Sequence, residues 1–315
     1  MALAETHFGI GFPQFPYGLP PASWFVACAR QAEKLGFDAL WHGERLLTPS
    51  PMLDPIPLLA HLAAVTSRIR LGSNVILLPL HQPVLLAKAA VSLDHLSAGR
   101  FVLGVAPGGD FPQEFESCAV PHKERGGRTE EGIVLLRRLW REPVVDHEGR
   151  YYHVRSGTVL PKPVQDGGPP VWIGGRGDWA IRCAAHLGDA WCPSFMPASR
   201  YRESWRRLSE LAHAAGRDPA TITPAIHLFF YIAPSFDAAW PVAANCLGIS
   251  YQRSYDAAML TKFCAVGSPD DCRQALLALM DAGVRHFVLT PACSAEAIPE
   301  QLDEVARVIL PLRGL

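Results

Sequence analysis

The sequence lacks the patterns that mark several large classes of protein. Its eight cysteines are scattered without a C-x-x-C pair, which argues against a disulfide framework or a structural zinc site and favours free thiols in a reducing compartment. No uncharged apolar run is long enough to cross a bilayer. The segment 1–12 has no basic stretch followed by an apolar core, so no secretory signal is expected. We therefore expect a cytoplasmic protein with no metal and no membrane partner.

Neither sign of charge dominates the chain. The 29 Lys and Arg residues nearly balance the 30 Asp and Glu residues, for a formal net charge of −1. Nucleic-acid binders usually carry a clustered positive excess, so no nucleic-acid partner is expected. The serine nucleophile elbow, the Walker loop and the H-E-x-x-H zinc motif are also absent.

One weak motif points to a nicotinamide cofactor. Gly175, Gly177 and Ala180 match the dinucleotide-binding pattern G-x-G-x-x-A loosely. A Rossmann unit normally opens its domain and carries an acidic residue about 20 positions further on. Here several strand–helix units come first, and Asp189 follows too soon. A nicotinamide-dependent dehydrogenase is therefore a minor alternative.

What the chain does contain is a regular alternation of short apolar runs and amphipathic helices. The predicted strands are 7–12, 39–42, 69–78, 101–105, 171–174, 190–193, 225–233 and 286–290. Strict alternation requires parallel strands joined by right-handed crossovers. The sequence thus predicts an α/β fold, a (β/α)8 TIM barrel, as a single domain over 1–315.

Two stretches interrupt this alternation and are predicted to be insertions in the barrel. Segment 146–165 has aromatic and β-branched residues around Gly157 and reads as a hairpin. Segment 234–262 is longer and less regular, and we expect a partly helical excursion near the barrel mouth.

Candidate site residues follow the predicted strands, whose carboxyl ends face the active site of a barrel. Glu44 and Arg45 come after the second strand, where they would orient a ligand or form an ordinary surface pair. Gly72 and the small polar residues after it indicate close packing against the third strand, by a ligand or by the barrel interior. The glycine-dense loop after Ala106 would shape a pocket or merely turn the chain.

A glycine-rich turn connects the strand 171–174 to the next helix. Gly174, Gly175 and Arg176 would let backbone N–H groups and one fixed charge approach an anion at the helix start. The turn is therefore either a phosphate cradle or an ordinary strand–helix connection that needs a positive φ.

Together these segments resemble the bacterial-luciferase-like family of flavin- and deazaflavin-dependent oxidoreductases. The resemblance is carried by 35–41, 69–75, 83–88, 93–100, 104–105, 114–116, 123–126, 160–165, 172–175 and 187–189, with 266–269 matching the end of the family pattern. Each motif is short, but their order and spacing match over roughly 7–195.

The resemblance implies a barrel with an insertion, often a homodimer, that binds FMN or the deazaflavin coenzyme F-420. In the family the ring lies against a bulge in the third strand, often with a non-prolyl cis peptide, which corresponds here to Asn74–Val75. Ala106 would lie beside it. The phosphate would meet the turn 174–176, with Ser194 as a further donor.

One position departs from the family pattern. An acidic residue followed by His is usual after the second strand, but here Arg45 follows Glu44. Arg45 is permanently charged and suits an anion or the negative charge of a reduced flavin better than proton transfer. A mechanism that uses this histidine is therefore not expected.

We expect an FMN-dependent monooxygenase that uses reduced FMN from a separate flavin reductase, and O2, on a small organic substrate. Its catalytic candidates are Glu44, Arg45 and His81, and its pocket-wall candidates are Trp191, Phe195 and His227. The main alternative on the same scaffold is an F-420-dependent hydride-transfer oxidoreductase. A non-catalytic flavin-binding paralogue is a lesser one.

Overall fold

A computed structural model describes residues 5–314. Eight parallel strands form a closed ring in the order β1, β2, β3, β5, β8, β9, β10, β12, because β12 pairs back with β1. The strands are β1 (His7–Phe12), β2 (Ala39–His42), β3 (Arg70–Ser73), β4 (Ile76–Leu77), β5 (Phe101–Ala106), β6 (Val145–Glu148), β7 (His153–Gly157), β8 (Val171–Gly174), β9 (Ala190–Cys192), β10 (Thr223–Ile232), β11 (Ala265–Gly267) and β12 (His286–Pro291). The predicted barrel is confirmed, and its closure excludes the open sheet of a Rossmann fold.

Helices connect the strands and surround the ring. They are α1 (Ala22–Leu35), α2 (Pro55–Ala63), α3 (Pro83–Leu96), α4 (Pro112–Ser117), α5 (Arg125–Arg141), α6 (Asp178–Leu187), α7 (Ala198–Ala214), α8 (Phe236–Tyr251), α9 (Ala257–Phe263), α10 (Pro269–Asp281) and α11 (Ile298–Val308). The sequence analysis did not predict the short α4 or the final α11. Among residues 5–314, none of these helices has the length and hydropathy that crossing a membrane requires.

The third barrel position differs from its prediction. The sequence suggested one continuous strand over 69–78, but β3 ends at Ser73 and β4 resumes only at Ile76, against β5. The intervening Asn74–Val75 peptide is cis, as the family resemblance predicted. Ser73 anchors the interruption, since its Oγ donates to the Gly104 carbonyl and accepts from the Gly104 N–H, both at 2.9 Å.

The two stretches that interrupt the alternation have different structures. Within 146–165 and its flanks, β6 and β7 form an antiparallel hairpin with an irregular register. Most of 234–262 is helical and belongs to α8 and α9. These two helices follow β10, and they pack with it around a small second core that includes Phe229, Leu247 and Tyr255. The excursion therefore adds a wall to one side of the barrel mouth.

The barrel interior is filled by large aromatic rings. The rings of Trp41 and Trp172 lie 4.5 Å apart between their centroids, and His286 packs edge-on against both. Gly72 makes room for this layer, because a Cβ there would overlap the Trp41 ring. The absence of a side chain at Gly72 in the third strand therefore allows close packing of the barrel interior.

Candidate active site

A cavity of about 720 Å3 lies at the carboxyl ends of the barrel strands. Nine of the ten catalytic and cofactor-binding candidates line it, namely Glu44, Arg45, Asn74, Val75, Ala106, Gly174, Gly175, Arg176 and Ser194. They come from the ends of five different strand positions, so the barrel brings together residues that are up to 150 positions apart in the sequence.

Two further candidates lie just outside this lining. His81 stands behind Glu44, with its Nε2 2.8 Å from the Glu44 Oε1. Trp191 is fully buried, and its Nε1 donates to the Gly175 carbonyl at 2.9 Å. Trp191 therefore supports the glycine-rich turn from beneath, whereas Phe195 and His227 do form part of the cavity wall.

Glu44 is bonded to the backbone around the bulge. Its N–H donates to the Val75 carbonyl at 3.1 Å, and its Oε2 accepts from the Leu77 N–H at 2.7 Å. Its second carboxylate oxygen accepts from His81. The side chain is 2% exposed, so these bonds replace nearly all of its water contacts. Glu44 is thus a positioning residue for the segment 74–77.

The charge state of His81 depends on this carboxylate. Burial lowers the pKa of His81, but the hydrogen bond and the negative charge of Glu44 outweigh it, so the pKa lies above its usual 6.5. The protonated imidazole partly neutralises a buried carboxylate that would otherwise be costly. The pair therefore favours a fixed ion pair behind the bulge.

Arg45 is directed to a different part of the site. Its Nη2 donates to the Asp110 Oδ2 at 2.9 Å, its Nη1 lies 3.9 Å from the Glu114 Oε2, and its guanidinium stacks 4.9 Å from the Phe111 ring centroid. Arg45 thereby ties the end of β2 to the loop after β5. The sequence analysis did not single out Asp110, and it used Glu114 only as part of the family resemblance.

Glu114 explains why this tie is needed. Its side chain is fully buried, and its Oε1 accepts from the N–H groups of Leu46 at 2.7 Å and Leu47 at 3.2 Å. Its other oxygen has no hydrogen-bond partner within residues 5–314. Arg45 supplies the nearest positive charge to this buried carboxylate.

The glycine-rich turn has the geometry of an anion cradle. Gly175 adopts a φ of 109°, and a Cβ on Gly174 would lie 2.8 Å from the Val75 Cγ1. The Ser194 Oγ nearby is buried and has no partner in the described part of the chain. A buried hydroxyl of this kind fits an acceptor oxygen such as that of a phosphate. With Arg176 and the start of α6, the turn fits the phosphate end of a flavin-type cofactor.

The wall opposite the interrupted third strand presents neutral polar groups. The His227 Nε2 lies 2.9 Å from the Thr290 Oγ1, and both side chains line the cavity. Burial lowers the pKa of His227 to about 4, so the imidazole is uncharged near neutral pH. Thr290 and Tyr251, which also lines the cavity, were missed by the sequence analysis, since neither stands in a recognisable motif.

Thiol and metal chemistry find no support in this site. All eight cysteines are unpaired, as expected, and only Cys118 is exposed. Cys192 lines the cavity, but burial raises the pKa of its thiol and keeps it protonated. Within residues 5–314 no group of three or more His, Cys, Asp or Glu side chains is arranged to hold a metal ion.

Comparison with known proteins decides the family. The model of the luciferase-like monooxygenases matches residues 7–286, most of the chain. The chain belongs to this family. Family members are oxidoreductases or monooxygenases, so an enzyme is expected. The segment-by-segment resemblance found in the sequence is confirmed.

One sequence relative and two solved structures illustrate what the chain is similar to. The chain is 31% identical over 209 residues to an F-420-dependent glucose-6-phosphate dehydrogenase of Kineococcus radiotolerans, covering 64% of this chain and 61% of that protein. A monooxygenase from Streptomyces bottropensis matches with a TM-score of 0.85 and 24% identity, over 97% of this chain and 99% of that one. An F-420-dependent secondary alcohol dehydrogenase also has a TM-score of 0.85, with 19% identity over 98% of this chain and 99% of that one. At these identities the two structures support the fold alone.

Proposed function

We propose that this protein is an oxidoreductase that binds a flavin-type cofactor in the barrel mouth and acts on a small organic substrate. One observation carries the proposal. A single cavity joins the interrupted third strand to a glycine-rich turn beside the Ser194 hydroxyl, which has no hydrogen-bond partner within residues 5–314. One side of the site thus offers backbone and apolar surface for a ring, and the other offers donors for a phosphate.

The residues fall into three roles in this proposal. Asn74, Val75 and Ala106 would hold the ring, and the turn 174–176 with Ser194 would hold the phosphate. When bound, the cofactor supplies two-electron redox chemistry. Glu44 keeps the bulge in place through its backbone bonds. Arg45 holds the loop after β5 over the site through Asp110.

The groups on the opposite wall suit a proton-coupled reaction. His227 is neutral, and its hydrogen bond to Thr290 links it to a hydroxyl that also lines the cavity. A neutral imidazole beside a hydroxyl is able to exchange a proton with an alcohol or carbonyl oxygen. His227 is therefore our candidate acid–base residue, in place of the family histidine that Arg45 replaces.

This arrangement changes which of the two cofactors we rank first. The sequence alone put reduced FMN with O2 first. The paired His227 and Thr290 favour hydride transfer at a carbon–oxygen bond, and the F-420-dependent relative at 31% identity supports the same choice. We therefore place F-420-dependent hydride transfer first. FMN-dependent oxygenation is second, supported by the family's description as monooxygenases; it would require a separate flavin reductase.

Cofactor titration tests the proposal. The purified protein is titrated with F-420 and with FMN, each oxidised and reduced, and binding is followed by absorbance and fluorescence. Tight F-420 binding with weak FMN binding is expected. The reverse ranking would favour the oxygenase, and binding of neither cofactor would overturn the flavin-type proposal. Sedimentation of the same samples tests the predicted homodimer.

A matched pair of substitutions tests the phosphate turn. Gly175→Asp places a charge and a Cβ where φ is 109°, and it should abolish measurable cofactor binding. Gly177→Asp adds the same charge two residues further on, where φ is −91° and a Cβ meets open space. It should bind far better than Gly175→Asp. Unchanged cofactor affinity in Gly175→Asp would rule out the turn as the phosphate site.

A further inference from the structure

Arg253 stands at the cavity mouth in an aromatic setting. It lies in the connection between α8 and α9 and lines the cavity. Its guanidinium carbon is 4.7 Å from the Tyr255 ring centroid and 5.1 Å from that of Phe195, and its Nε donates to the Tyr255 hydroxyl at 2.6 Å. Stacking on two rings and one hydrogen bond hold the guanidinium in place. Arg253 is thus a fixed charge, although the residue is exposed.

The charges of the cavity leave Arg253 uncompensated. Arg45 is paired with Asp110 and lies near Glu114. Arg176 belongs to the turn that fits a phosphate. Arg253 has no carboxylate partner in the described part of the chain, residues 5–314. A cavity-lining cation that neither the protein nor the cofactor site neutralises is suited to a charged substrate.

The free edge of this guanidinium indicates which class of anion Arg253 would bind. Since Nε is bonded to Tyr255, the edge formed by Nη1 and Nη2 is left for a ligand. Two parallel N–H groups match the two oxygens of a carboxylate in a bidentate pair. A phosphate dianion usually recruits several backbone N–H groups as well, and the turn that offers them is 174–176.

The surface between Arg253 and His227 is aromatic. The Phe195 and Phe229 rings lie 5.1 Å apart between centroids, and the Phe229 ring lies 4.6 Å from that of His227. All four side chains line the cavity. We infer that the substrate is an organic acid, with its carboxylate on Arg253 and a flat apolar body against Phe195 and Phe229. This inference rests on the proposed function, whose substrate class it names.

A pair of probes that differ in charge tests the inference. Binding of 2-naphthoate and of its neutral counterpart 2-naphthamide to the full chain is measured by calorimetry, with and without the cofactor that binds. The naphthoate should bind roughly tenfold more tightly, as expected for one charge-assisted bidentate pair. Arg253→Gln should remove this preference and leave naphthamide binding nearly unchanged. Equal binding of both probes to the unaltered protein would overturn the inference.

Two controls separate this site from general charge effects and from the cofactor site. Arg202→Gln removes an exposed arginine that pairs with Asp281 outside the cavity, and it should keep the preference for naphthoate. Loss of the preference in this variant too would overturn the inference. Cofactor affinity of Arg253→Gln should match that of the unaltered protein. A protein that binds the cofactor but shows no charge preference refutes the organic-acid site alone, and one that shows the preference but binds no cofactor refutes the proposed function alone.

Discussion

The Glu44 carboxylate and the His81 imidazole lie 2.8 Å apart, and the pair stands behind the backbone bulge. Both residues were candidates for chemistry in the cavity. The other Glu44 carboxylate oxygen accepts from the Leu77 N–H, and the Glu44 N–H donates to the Val75 carbonyl. Glu44 therefore positions the backbone that would hold the ring. The Glu44–His81 pair thus maintains the shape of the bulge, and in the proposed reaction His227 on the opposite wall would exchange the proton.

Removal of the Glu44 carboxylate should destabilise the protein. Glu44→Ala leaves the buried Leu77 N–H without an acceptor, at a cost of about 1–3 kcal/mol in the free energy of unfolding. Urea denaturation measures it. Glu148→Ala is the control, because Glu148 is 76% exposed and pairs with the exposed His153. Its effect should stay within about 0.5 kcal/mol. Similar losses of unfolding free energy in the two variants would contradict the proposed role of Glu44 in holding the bulge.

The pH dependence of stability should report the His81 charge. The folded-state pKa of His81 lies above 6.5, so its stabilising contribution is complete below that value and is lost as pH rises through the folded pKa. The difference in unfolding free energy between the unaltered protein and His81→Gln should therefore shrink as the pH rises above 6.5.

NMR titration checks the same assignment directly. His81 should titrate above 6.5, whereas burial lowers the pKa of His42 to about 4 and keeps it neutral across that range. A His81 midpoint below 6.5 would contradict the ion pair.

A methyl group added at Gly72 should disturb the barrel interior. Its Cβ would overlap the Trp41 ring, and overpacking of this kind costs about 1–3 kcal/mol. Urea denaturation measures the loss, and near-ultraviolet circular dichroism reports the displaced tryptophan. Gly177→Ala, where a Cβ meets open space, is the control. An unaltered unfolding midpoint in Gly72→Ala would show that the interior has room to spare.

Loss of Arg45 should loosen the segment after β2. Arg45→Gln removes the positive charge nearest the buried Glu114, whose oxygen accepts from the Leu46 and Leu47 N–H groups. Hydrogen exchange at these two amides should accelerate roughly tenfold, by about 1.4 kcal/mol of local opening free energy. Asp110→Asn should have a smaller effect, because Asp110 is 74% exposed. Equal hydrogen-exchange protection of the Leu46 and Leu47 amides in both variants would contradict this role of Arg45.

The parts of this molecule that sequence predicted are those set by local patterns. Alternating strands and helices predicted the barrel, and residues such as Glu44 and Arg45 were found because they follow predicted strands. The cis peptide at Asn74–Val75 came from family resemblance, since no periodicity indicates it. The same periodicity hid the break after Ser73, because apolar residues continue on both sides of it.

What sequence did not predict are the partners of these residues. His81 is 37 positions from Glu44, and Asp110 is 65 positions from Arg45, so only the closed barrel brings them together. Arg253 lies in an irregular stretch with no motif, and its importance depends on rings contributed from elsewhere. Contacts of this kind follow from tertiary packing, which a single sequence does not display.

The Trp41 and Trp172 rings have a consequence for ligand traffic. These packed rings fill the barrel at the floor of the cavity, so within the described chain any ligands would share the opening at the carboxyl ends of the strands. In the proposed complex, a ring seated deep against the third strand would have to bind before an organic acid held at the mouth by Arg253, and it would have to dissociate after it. Because both ligands would use one opening, binding would then be ordered, with the cofactor binding first and dissociating last.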